Sequence, residues 1–185
     1  GSLEGDFNDI DLCCDLEMTS LGEEDICLIS VPSYGGRVPG AAIEMLKNLT
    51  GNEAKAVLNC VYGNRAWEDT LTELQDTLEG QGFRCVAALA TVAEHSIFRE
   101  FAANRPDEKD ALQLKEWSQK LKEKAENGGE VSFPGNRPYK PLGAIPMIPR
   151  AEICQNCGKC VSRCPVGAIP MADPRETDAE KCIVC

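Results

Sequence analysis

Histidine is nearly absent from this chain: His95 stands alone among 185 residues. No imidazole-based metal site and no histidine-dependent triad can be assembled within it. Basic residues are also scarce, 19 Lys and Arg against 30 Asp and Glu, for a formal charge of -11. Nucleic acid and anionic membrane surfaces both demand a basic face, so neither is an expected partner. No apolar run is long enough to span a bilayer, and no signal peptide is recognisable.

Cysteine, by contrast, is plentiful: eleven residues, six of them in the last 32 positions. Cys27, Cys60 and Cys85 lie inside apolar, strand-like runs, where a reduced thiol acts as a small hydrophobe. Cys13 and Cys14 are adjacent, so their side chains would leave opposite faces of a strand. A structural role is expected for these five. Reduced cysteines in such numbers indicate a reducing compartment, and a cytoplasmic location is expected.

The C-terminal cysteines form a pattern. Cys154, Cys157 and Cys160 fall at steps of three, and Cys164-Pro165 closes the run. This is the spacing by which a short loop wraps three thiolates around one 4Fe–4S cluster, the fourth cysteine serving a second cluster. The pattern restarts at Cys182-Ile183-Val184-Cys185, where the chain stops. Cluster I would take Cys154, Cys157 and Cys160; cluster II would take Cys164, Cys182 and Cys185. Each set is one thiolate short, and the missing cysteines are expected beyond Cys185. Zinc is the alternative, because Cys154/Cys157 and Cys182/Cys185 resemble two knuckles of a tetrahedral site. Cys160 and Cys164-Pro165 would then be surplus, whereas the small residues of 165–169 suit packing on a cubane.

Upstream, strand and helix patterns alternate. A weak strand is expected at Asp9–Cys13, and a continuous apolar one at Asp25–Val31, the latter suited to burial on both faces. A helix is expected over Gly40–Leu49, a strand over Lys55–Tyr62, and an amphipathic helix over Ala66–Glu79 with Trp67, Leu71, Leu74 and Leu78 facing inward. A strand over Phe83–Val92 follows, then a helix capped by Asp107 with Leu114, Trp117 and Leu121 toward the core. Such alternation implies an α/β domain around a doubly wound parallel sheet. Ligands of such sheets bind where loops leave the carboxyl ends of the strands, here Pro32–Pro39, Gly63–Arg65 and Ala93–Ser96. The expected organisation is an α/β domain over 1–127, a Pro/Gly-rich linker over 128–150 and a cluster domain over 151–185.

Three motifs then carry a resemblance. Val31–Pro39, with Tyr34-Gly35-Gly36-Arg37 at its centre, Val61–Leu71, with Tyr62-Gly63-Asn64-Arg65, and Ala93-Glu94-His95-Ser96 together resemble fusions of a flavodoxin-like domain with a two-cluster ferredoxin domain. The segment Pro134-Gly135-Asn136-Arg137-Pro138-Tyr139 is similar to the joining region of that family. The resemblance implies FMN at the strand ends, flanked by Ser33, Tyr34, Gly35, Gly36 and Arg37 on one side and by Tyr62, Gly63, Asn64 and Arg65 on the other. An aromatic face would stack on the flavin and glycines would let backbone N–H groups approach it. The two arginines would lie near the flavin or its phosphate, or simply be solvated.

The family opens with a strand, a phosphate loop and a helix that residues 1–24 do not match, and its second cysteine motif runs past Cys185. The chain is thus expected to be cut at both ends and not to hold FMN tightly. The function expected is intracellular electron transfer between FMN and 4Fe–4S clusters, docking electrostatically on redox partner proteins. The alternatives are a flavin-dependent reductase of a small substrate fed by the clusters, and a zinc-binding regulatory protein with a redox-silent α/β domain. No catalytic acid or base is required by the favoured reading, and none is assigned.

Overall fold

The computed structural model describes residues 9–12, 16–127, 131–141 and 151–183; Cys13, Cys14 and Cys185 lie outside them. The chain divides into two compact units, Gly1–Lys140 and Pro141–Cys185.

The first unit is mixed α/β. In chain order it runs β1 (Thr19–Ser20), β2 (Ile26–Pro32), α1 (Gly40–Leu46), β3 (Leu49–Thr50), β4 (Lys55–Tyr62), α2 (Thr70–Gly80), β5 (Arg84–Val92) and α3 (Glu108–Asn127). Strands β2, β4 and β5 form a parallel sheet in the order β2-β4-β5, while β1 and β3 make a separate two-residue parallel pair. Alternation along the strands sorts the residues between two faces. On one face Ile29, Val31, Ala56, Leu58 and Cys60 pack with Leu46 of α1 and with Leu71, Leu74 and Leu78 of α2. Leu46, Leu58, Leu74 and Leu78 are fully buried, and each such burial contributes about 1.5–3 kcal/mol.

Helix α2 starts four residues later than expected, and Trp67 lies before it, edge-on to Tyr62 with ring centroids 5.1 Å apart. Its end is closed by a Schellman pair: Phe83 N donates to Leu78 O at 3.1 Å and Gly82 N to Glu79 O at 3.0 Å, with Gly82 at φ 83°. Helix α1 is shorter than expected, because Leu49 leaves it to join β3. Asp9–Leu12 forms no strand.

The opposite face of the sheet carries Val57, Val86 and Ala87 under Ala125 and Leu121 of α3. Asp107 caps this helix as expected, accepting from the backbone N of Lys109 and Asp110, while Asp110 accepts in return from Asp107 N at 2.7 Å. The expected inward stripe is only partly realised: Leu114 is 38% exposed, and contact with this core is made at Leu121 and Ala125. Because α3 lies against β4 and β5, it leaves β2 uncovered on that side. Ile26 and Leu28 are each 56% exposed there, so β2 is an edge strand covered on one face, not two.

Part of the segment expected as a linker belongs to this unit. Val131 packs against the core and Phe133 enters it, and the chain continues as an extended strap to Lys140.

The second unit contains a 3-10 turn at Ala151–Ile153 and a short helix, α4 (Lys159–Arg163). Among its described residues there is no β-strand, where the resemblance to a ferredoxin domain implies a small α+β unit over 151–185; hydrogen-bonded turns supply its order. No described helix of the chain is long and apolar enough to cross a membrane.

Candidate metal centre and the strand-end rim

The cysteine loop of the second unit is shaped by two left-handed backbone positions, Asn156 at φ 53° and Gly158 at φ 71°. They coil residues 154–158 ahead of α4, whose first turn carries Cys160. As a result Cys154, Cys157 and Cys160 line one cleft of about 300 Å³, together with Ile153, Lys159 and Pro174. Cys157 and Cys160 are exposed and Cys154 is half-buried, with its Sγ 3.6 Å from Asn156 Oδ1.

Cys164 stands apart from that cleft. Its Sγ accepts the N–H of Ala168 at 3.2 Å, within a turn that Gly167 N closes onto Cys164 O at 3.3 Å. Asp178 ties this turn to the second motif: its N donates to Ala168 O at 2.7 Å and its O accepts from Cys182 N at 2.9 Å. Cys182 is half-buried, and Cys185 lies outside the described residues. Among the described residues, no three Cys, His, Asp or Glu side chains gather closely enough to hold a single metal ion.

The donor set fits an iron–sulfur cluster. Soft thiolates are its preferred ligands, and a backbone N–H to sulfur is a contact that stabilises such thiolates. The cleft presents three of the four thiols that one cubane requires. The remaining cysteines behave differently. Burial pushes the Cys60 thiol up to about 12, against hydrogen bonds from Thr70 and Ser33, and pushes Cys85 up to about 12 as well. Cys27 is raised by burial and by the nearby Asp25. These three thiols stay protonated and act as core atoms.

At the other end of the chain's chemistry, the parallel strands stop at Pro32, Tyr62 and Val92 and place their loops along one edge of the sheet. The residues expected to flank FMN are there, but engaged with the protein. Ser33 Oγ shares a hydrogen bond of 2.8 Å with Thr70 Oγ1. Tyr34 and Arg37 pair through their backbones, which turns Gly35 outward. Arg37 donates to both carboxylate oxygens of Glu73, at 2.7 and 2.5 Å, and to Lys140 O at 2.7 Å, and its guanidinium lies 4.6 Å from the Tyr139 ring centroid. Hydrogen bonding by Glu73 raises Arg37 above its ordinary value.

The second loop is equally committed. Arg65 pairs with Glu68, which also pairs with Lys140, and Asn64 is exposed in a left-handed turn. Tyr62 is half-buried against Trp67. Two of the three glycines expected near the flavin, Gly36 and Gly63, lie against side chains instead. A Cβ on Gly36 would come 2.4 Å from Glu68 Oε2, and one on Gly63 would come 2.6 Å from the His95 ring. His95 itself is locally employed, its Nδ1 accepting from the backbone N of Ile97 and Phe98 at 3.1 and 3.2 Å. In this arrangement the rim residues do not fit FMN.

A polar cluster beneath the rim was not apparent from sequence. Asp69, Thr70 and Thr72 are at most 1% exposed and Glu73 is 8% exposed, all at the start of α2. Asp69 stands at the helix N-cap without capping it; its carboxylate accepts instead from Asn136 N, Asn136 Nδ2 and Lys140 N at 2.8, 3.0 and 2.7 Å. Those backbone bonds, foremost that from Lys140, hold Asp69 below the usual carboxylate range. Asp76 is likewise lowered, first by Arg137 and then by Tyr139, and Thr72 donates to Pro134 O at 3.0 Å. The signal lay in polar residues at inward positions 69, 72 and 73, whose partners are Asn136 and Lys140 for Asp69, Pro134 O for Thr72, and Arg37 and Val38 for Glu73.

Comparison with known proteins bears on the cysteine loop. A family model described as a 4Fe-4S binding domain matches residues 148–169, which include Cys154, Cys157, Cys160 and Cys164. No curated protein and no solved structure matches the chain. The C-terminal region is therefore similar to a 4Fe-4S binding domain, which supports a 4Fe–4S cluster and an iron–sulfur electron-transfer role.

Proposed function

We propose that the chain is an electron carrier whose redox centre is held by the thiolates of Cys154, Cys157 and Cys160, with Cys164, Cys182 and Cys185 serving a second centre. The observation that carries this reading is the cleft lined by Cys154, Cys157 and Cys160, within the residues that a 4Fe-4S binding domain model matches. A 4Fe–4S cluster, when bound, takes up or releases one electron. Asn156 and Gly158 set the backbone turns that aim the thiols, and Ile153 and Pro174 provide apolar wall beside them. The Ala168 N–H supports Cys164 as a thiolate. A charge of -11 favours encounter with partner proteins that present basic patches.

The α/β unit, extending through the strap to Lys140, is read as a flavodoxin-like relative by its sheet of parallel strands with helices on both faces. FMN is left out of the proposal, because Glu68, His95 and Glu73 occupy or neutralise the groups that would meet it. Anaerobic reconstitution of the full chain with iron and sulfide tests the reading. Broad visible absorbance that bleaches on dithionite, with iron and sulfide in equal amounts, supports it. Zinc as the only bound metal overturns it.

A further inference from the structure

Pro174, on the wall of the cysteine cleft, sits in a charged turn that no part of the cysteine motif requires. Residues 173–176 form a β-turn closed by Glu176 N to Asp173 O at 3.1 Å, with Pro174 in the second position, where its fixed φ is favourable. Pro174 lines the cleft with Cys154, Cys157 and Cys160. Its two neighbours are bound to each other. Arg175 Nε and Nη2 each donate to one oxygen of Asp173 at 2.7 Å, and Arg175 N donates to Asp173 Oδ1 at 3.0 Å.

A surface ion pair held this way contributes little to stability, since both partners are largely hydrated. Arg175 is 51% exposed and Asp173 33% exposed. Its consequence lies in position. A turn with three side-chain bonds and a proline holds a cation and an anion on either side of Pro174, which lines a cleft whose redox group would gain negative charge on reduction. Cluster potentials respond to charge, hydrogen bonding and solvent access.

We propose that Asp173 and Arg175 form a compensated charge pair that sets the reduction potential of the cluster held by Cys154, Cys157 and Cys160. Arg175 favours the reduced state, and Asp173 moderates it while keeping the guanidinium in place. They are positioning residues, acting through the field at the cleft. The inference rests on the proposed cluster site.

Redox titration of the reconstituted full chain, followed by the spectroscopic signal of the reduced cluster, tests it, with iron and sulfide content measured for every variant. Arg175→Gln, which leaves Asp173 uncompensated, is expected to lower the potential. Asp173→Asn is expected to raise it. Each shift should be a few-fold in the one-electron equilibrium constant and at most about tenfold, or about 59 mV. Arg175→Lys should stay nearer the unmodified chain than Arg175→Gln, and the double variant should return toward the starting value. Unchanged potentials in loaded variants, or shifts of the same sign for Arg175→Gln and Asp173→Asn, overturn the inference alone. An unmodified chain that takes up no iron and sulfide overturns the proposed function and the inference with it.

Discussion

Asp69 and Asn136, 67 residues apart in the chain, are joined by two hydrogen bonds to one carboxylate oxygen, from the Asn136 backbone N at 2.8 Å and from its Nδ2 at 3.0 Å. Asp69 is 1% exposed. A buried carboxylate without partners would be strongly unfavourable, so the strap and the helix start are mutually dependent. Asp69→Ala is expected to cost roughly 2–4 kcal/mol, because it strands the N–H groups of Asn136 and Lys140. Urea unfolding of the full chain measures this; a loss below about 0.5 kcal/mol, the range of ordinary surface substitutions, would show that the strap is loosely held.

The same carboxylate gives a pH dependence. Asp69 and Asp76 are both held below the ordinary carboxylate range in the folded chain. Their contribution is therefore fully present above the unfolded value, near about 3.9, and is lost as pH falls through the lower folded values. Acid unfolding followed by circular dichroism should become less steep in Asp69→Asn than in the unmodified chain. An identical acid limb would contradict the assignment.

Arg37 and Glu73 form the neighbouring ion pair of this region. Their side chains are only 16% and 11% exposed, and Glu73 also accepts from Val38 N at 2.8 Å. Removing one partner leaves the other charge largely buried without its counter-charge, at a cost of about 3–5 kcal/mol. Arg37→Met and Glu73→Leu should each approach that loss, while the double substitution should cost much less than their sum. Additive losses in a double-mutant cycle would show that the two groups do not act as a pair.

A consequence for flavin binding follows from Gly36 and Gly63, which lie under Glu68 and His95. The full chain is expected to leave FMN fluorescence unquenched on titration, and to elute free of flavin after incubation with it. Stoichiometric retention of FMN would mean that the rim opens around the ligand.

Much of the α/β unit was legible because local pattern and tertiary burial agree. Lys55–Tyr62 reads as a buried strand and is one, since it is central in the sheet. Leu71, Leu74 and Leu78 recur at helical spacing and form the core face of α2. Ile26 and Leu28 misled for a physical reason: an apolar run does not reveal whether a helix will cover its second face, and α3 stops short of β2. The cysteine loop carries a spacing set within a few residues, so a 4Fe-4S binding domain model matches at 148–169, and residues 154, 157 and 160 line one cleft. Partnerships over long separations left no local trace. The bonds from Arg37 to Glu73 and from Asp69 to the strap span 36 to 71 residues, and the strap's Pro and Gly content reads as a linker.

Cys154, Cys157 and Cys160 are the proposed ligands of an iron–sulfur cluster. Iron and acid-labile sulfide, measured after anaerobic reconstitution of the full chain and of its Cys157→Ser variant, test it most directly. The expected result is iron and sulfide in equal amounts with dithionite-bleachable absorbance, and a marked loss of both in Cys157→Ser. Zinc alone in the unmodified chain, or an iron and sulfide content untouched by Cys157→Ser, would contradict it.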